Sequence, residues 1–72
     1  MGQDARMIIA KNVKLLREKK SLKREKLSLL LGFDNSYISK LERGTLNVTI
    51  DKLSRIADIL DVEIIELFKY DK

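Results

Sequence analysis

A chain of 72 residues holds one small domain with a thin core, near the lower limit for folding alone. An apolar content of 44% supports such a core and argues against disorder, while the absence of Cys and His removes disulfides, thiolate nucleophiles, the common zinc ligands and the usual proton carrier near neutral pH. The net charge of +4 is uneven: residues 1–45 hold 11 Lys/Arg against 5 Asp/Glu, a net of +6, and residues 46–72 hold 4 against 6, a net of −2, so a polyanion is drawn to the first two thirds.

Met1 to Arg6 is polar and lacks a signal-peptide layout, and no apolar run approaches bilayer length. The expectation is a cytoplasmic protein, one domain over residues 1–72, with no metal, no cofactor, no membrane contact and no small-molecule ligand. Carboxylates are present, but no nucleophile stands beside a positioned base, so the pattern points away from an enzyme.

The first helix is predicted from about Asp4 to Lys20. Ile9, Val13 and Leu16 recur at helical spacing, Ile8 and Leu15 widen the arc, and Lys19 and Lys20 suit the negative end of the dipole. A second, short helix runs from about Arg24 to Leu31 with Leu27, Leu30 and Leu31 inward, and Gly32 ends it in the left-handed conformation. Asp34 is placed to cap a third helix, about Asn35 to Arg43, whose narrow apolar stripe is Ile38 and Leu41. Gly44 ends that helix. Thr49 caps a fourth, about Ile50 to Leu60, with Ile50, Leu53, Ile56, Ala57 and Leu60 on the core face. A last helix is expected from about Glu63 to Tyr70, with Ile64, Leu67 and Phe68 inward.

The informative unit is about residues 24–43, two short helices joined by a turn containing Gly32. Leu27, Ile38 and Leu41 are suited to interlock, the small Ser28 lets the two helices approach, and the third helix keeps a polar side free for a major groove. Asn pairs with adenine, Lys favours guanine and Ser adapts to either.

V-K-L-L-R-E-K-K-S-L at 13–22, L-S-L-L-L-G-F at 27–33, Y-I-S-K-L-E-R-G at 37–44 and L-S-R-I-A-D-I-L-D-V at 53–62 resemble the lambda-repressor-like, or Xre/Cro, helix-turn-helix family of phage and bacterial regulators. The resemblance implies an all-α, compact five-helix domain whose third helix recognises double-stranded DNA. By position it implies base contacts from Asn35, Ser36 and Lys40, with Tyr37 and Ser39 facing bases or phosphates. Arg24 stands where many members have a Gln that holds a phosphate and buttresses the recognition helix. Lys23 replaces a capping Thr or Ser, Ser28 a usual Ala, and Val48 a common Pro. Arg17 and Glu42 are similar to a family ion pair between the first helix and the end of the third.

Each residue also has a plainer reading. Asn35 and Ser36 suit a helix's first turn, Lys40 a solvated surface, and Tyr37 a domain edge with its hydroxyl exposed. Arg43 serves either a phosphate or its own helix dipole, and Lys23 and Lys26 either phosphates or solvent.

Ile59, Ile65 and Tyr70 fall off the core arcs and Leu46 lies in a loop, which suggests a contact surface for a homodimer. Such a dimer reads a near-palindromic site with half-sites roughly 34 Å apart. Residues 37–53 look similar to the small controller proteins of restriction-modification systems, which bind their own promoters. Phage repressors and antitoxins share the pattern, and Arg24 with the extra apolar residues leaves open a protein-interaction module on the same fold.

Overall fold

The computed structural model describes residues 4–70, so the first three residues of the polar N-terminal stretch lie outside it. Helix α1 spans Ala5–Lys19, α2 Arg24–Leu31, α3 Tyr37–Glu42 and α4 Ile50–Leu60, followed by a 3₁₀ helix over Ile64–Phe68. The described residues are thus all-helical, with four α-helices where five were expected. No helix among them is long and apolar enough to cross a membrane.

Asp4 starts α1: its carboxylate accepts the Arg6 N–H at 2.8 Å and the Arg6 guanidinium at 2.9 Å. The side-chain hydrogen bond to Arg6, then the backbone one, hold that carboxyl below its ordinary range. Ile9, Ala10, Val13 and Arg17 form the buried stripe of α1. Leu15, two residues beyond Val13, points across the helix and is exposed, contrary to the predicted arc.

Three helices end in the same way. Leu22 N–H reaches back to the Arg17 carbonyl, Phe33 to Ser28 and Val62 to Ala57, each over five residues, with a left-handed residue just before the donor. Those residues are Ser21, Gly32 and Asp61, at φ of 56°, 76° and 59°. Only one is the glycine that the conformation favours. Asp61 also sets a carboxylate at the negative end of α4 and makes no ion pair among the described residues. Asp61→Gly is therefore expected to raise stability by about 0.5–1 kcal/mol. Thermal unfolding checks this, with a rise of roughly 2–8 °C.

Leu27, Ser28 and Leu31 face inward from α2, whereas Leu30, expected with them, lies at the edge and is 48% exposed. Thr49 caps α4 as expected, accepting the Lys52 N–H at 3.2 Å. Ile50, the first residue of α4, stands beyond the core at 64% exposure, while Leu53, Ile56, Ala57 and Leu60 are buried.

The C-terminal segment winds at three residues per turn, so Ile64 and Leu67 share one face and Phe68 is turned off it. Leu67 is fully buried and Phe68 is exposed, correcting its predicted inward placement. Asn12 on α1 clamps the segment, its Nδ2 donating to the carbonyls of Leu67 at 2.9 Å and Lys69 at 2.8 Å.

Candidate nucleic-acid interface

The third helix is shorter than its sequence pattern. Asp34 does not cap it; its carboxylate accepts the Ser36 hydroxyl at 3.1 Å, its carbonyl accepts the Tyr37 N–H at 2.9 Å, and residues 35–36 form a turn. Ser36 occupies the N-cap position without a side-chain cap of its own. An N–H of the first turn, that of Ile38, instead finds a partner on α2: Ser28 Oγ accepts it at 3.1 Å while donating to the Arg24 carbonyl at 3.0 Å. Ser28 is fully buried, so this hydroxyl does more than leave room. Ser28→Ala removes the one partner that this buried N–H has among the described residues and is expected to cost about 1–3 kcal/mol, read from denaturant unfolding.

Ile38 and Leu41 press α3 into the core. Ser36, Ser39, Lys40 and Arg43 follow the spacing i, i+3, i+4, i+7 and lie together on the opposite side. Lys40 and Arg43 are exposed, Ser36 and Ser39 half-buried, and Asn35 exposed in the turn just before them. Thr45 Oγ1 donates to the Lys40 carbonyl at 3.2 Å and so ties off the far end. Gly44 follows at φ 77°, and a Cβ there would run into Sδ of Met7 on α1.

Tyr37 and Glu42 lie on the two flanks of this ridge. On the Glu42 side, Arg17 Nε donates to Oε2 at 2.7 Å and Nη2 to Oε1 at 3.2 Å, and Arg17 Nη1 donates to the Leu22 carbonyl at 2.7 Å. Both side chains are at least nine-tenths buried. Arg24 Nη1 comes within 4.0 Å of the same carboxylate while remaining half exposed. An arginine where a glutamine is common thus still reaches the end of α3.

A cleft of about 390 Å³ beside it is lined by Lys23, Arg24 and Ser39 among others. A second, of about 250 Å³, is lined by Lys14, Arg24, Ser39, Glu42 and Arg43. Lys14 was missed in the sequence; its signal is its position three residues before Arg17 on one helix face. Lys23 provides no side-chain cap to α2. Lys26 is exposed and lines neither cleft.

On the Tyr37 side the ring meets Phe33 edge-on, with centroids 4.7 Å apart. Burial pushes the Tyr37 phenol above its ordinary value, so its hydroxyl stays protonated and able to donate. Lys52 and Arg55 from α4 complete this flank. Far from the ridge in sequence, Ile65 and Tyr70 are open to solvent, whereas Leu46 and Ile59 are half-buried against the core.

This fold and ridge define a helix-turn-helix protein. Residues 13–67 match the helix-turn-helix family, and the chain belongs to it. It is 38% identical over 64 residues to the uncharacterized HTH-type transcriptional regulator y4dJ of Sinorhizobium fredii, covering 89% of this chain and 83% of that one. It is 34% identical over 64 residues to the control protein C.BamHI of Bacillus amyloliquefaciens, covering 88% and 79%. The crystal structure of the restriction-modification controller protein C.AhdI from Aeromonas hydrophila superposes with a TM-score of 0.82 at 36% identity, covering 88% of this chain and 96% of that one. The Xre-like resemblance is borne out, and transcriptional regulators with controller proteins among them are the chain's relatives.

Proposed function

We propose that the chain is a sequence-specific DNA-binding transcriptional regulator that binds a near-palindromic operator as a homodimer, with α3 in the major groove. The observation that carries this reading is the polar ridge of α3, backed by Ile38 and Leu41 and bordered by cations on both flanks. Ser36, Ser39 and Lys40 then face base edges with Asn35 ahead of them, and Tyr37 stands at the groove's edge. Ser36 donates its proton to Asp34, so towards a base it acts as an acceptor. Arg24, Arg43 and Lys23 take phosphates, with Lys26 further out. The pair Arg17–Glu42 holds the ridge in register. Ile65 and Tyr70 offer the open part of a two-fold surface, with Leu46 and Ile59 at its base. The controller relatives support a cytoplasmic, single-domain regulator of a restriction-modification operon that acts on its own promoter.

Selection from random duplexes tests the reading. It is expected to recover a motif of two inverted half-sites about one helical turn apart, bound less tightly as salt rises. Lys40→Ala is expected to lose about 1–3 kcal/mol of discrimination at one base position. An equal loss on every sequence makes Lys40 a phosphate contact instead. Recovery of no motif by folded protein at low salt overturns the reading in favour of a protein-interaction module.

A further inference from the structure

Among the described residues, the acidic last third of the chain sends a cation back to α3. Three cations lie among the described residues after position 45: Lys52, Arg55 and Lys69. Lys69 is taken by Glu66 at 3.0 Å. Arg55 donates to the Leu31 carbonyl at the end of α2 and lies 5.0 Å from the Phe33 ring centre. Lys52 has no carboxylate partner among the described residues. Its ammonium sits 5.2 Å from the centre of the Phe33 ring and 5.3 Å from that of Tyr37, the first residue of α3.

We propose that Lys52 is a phosphate contact on the Tyr37 flank of α3, opposite the flank of Arg24, a proposal that rests on α3 being the DNA-reading helix. A ring quadrupole attracts a cation but brings no net charge. The two rings therefore hold the ammonium in place and leave its charge available to an anion. Much of the rotamer entropy that a free lysine loses on binding is lost here on folding. The placement also suits the duplex. A helix in a groove about 12 Å wide lies between two phosphate backbones. Lys14 and Arg24 stand on one side of the Ser36–Ser39–Lys40–Arg43 ridge, and Lys52 stands on the other. Lys52 thus gives the second strand a cation that the basic first two thirds of the chain place on the first.

The test titrates the full chain against its selected duplex and a scrambled one across a range of salt, following fluorescence anisotropy. Lys52→Met is expected to make the slope of log K against log salt shallower by about 0.9 per bound protomer, and to weaken both duplexes alike, by roughly 3–10-fold near 0.1 M salt. Lys52→Arg is expected to keep the wild-type slope. Thermal unfolding of each variant gives the folded fraction. A wild-type slope in Lys52→Met, or a loss of binding that matches its loss of folded protein, overturns the proposal and leaves the DNA-binding reading intact. Wild-type protein with no salt-dependent duplex binding overturns both.

Discussion

Arg17→Ala is expected to cost about 3–5 kcal/mol, a large share of what holds a small domain together. The loss comes from what stays behind. The Glu42 carboxylate, 6% exposed, would keep its charge without the guanidinium that now binds both its oxygens, and the Leu22 carbonyl would lose its donor. Among the described residues Arg24 already lies 4.0 Å from that carboxylate, and turning to it draws Arg24 away from the clefts beside Ser39. The double variant Arg17→Met with Glu42→Leu removes both charges at once and is expected to recover most of the deficit, because replacing a buried pair costs far less than breaking it. About 1 kcal/mol remains for the orphaned Leu22 carbonyl. Urea unfolding of the two variants decides the matter: a single variant within 1 kcal/mol of wild type, by order of magnitude, overturns the assignment of Arg17 as the strut of α3.

Ile38→Ala is expected to cost about 2–5 kcal/mol, whereas Lys40→Ala, two residues on, stays within about 0.5 kcal/mol of wild type in stability. Ile38 is fully buried and Lys40 exposed. The contrast is a direct reading of which way α3 faces. Ile38→Val, which removes one methylene, should cost roughly 0.5–1.5 kcal/mol. Near-equal stability of the alanine variants at 38 and 40 would mean that α3 does not press Ile38 into the core and that the ridge is not held outward.

Periodicity in the sequence was enough to place α1, α2 and α4 to within about a residue, because each has an apolar stripe and a recognisable stop or cap. It failed where the stripe was too short to define a period. In α3 only Ile38 and Leu41 are buried, and nothing in the spacing separates a helix starting at Asn35 from one starting at Tyr37. The turn at 35–36 depends on Asp34 bonding to Ser36, a local competition with helix geometry that the residue type leaves undecided. The last segment was misread because a 3₁₀ turn and an α-helix both bring Ile64 and Leu67 to one side; only Phe68 distinguishes them. Ser21 and Asp61 carry no signal of a left-handed stop, which glycine would have announced.

Of the candidate interface, the outward residues were legible, and so were Arg24, Tyr37 and the Arg17–Glu42 pair on its flanks; the remaining flank residues were not. Lys14, Lys52 and the hydroxyl of Ser28 each meet α3 from another helix, and such contacts follow from packing instead of pattern.

A helix of six residues is too short to persist outside a folded domain. The polar ridge of α3 therefore exists only while Ile38, Ser28 and Arg17 keep it in shape. Anything that grips that surface pulls the chain away from its unfolded ensemble, by about 2.7 kcal/mol when the partner is present at a hundred times its dissociation constant. On the proposed DNA-binding reading, an ordinary melting curve repeated with different duplexes is expected to rank operators without any label on protein or DNA.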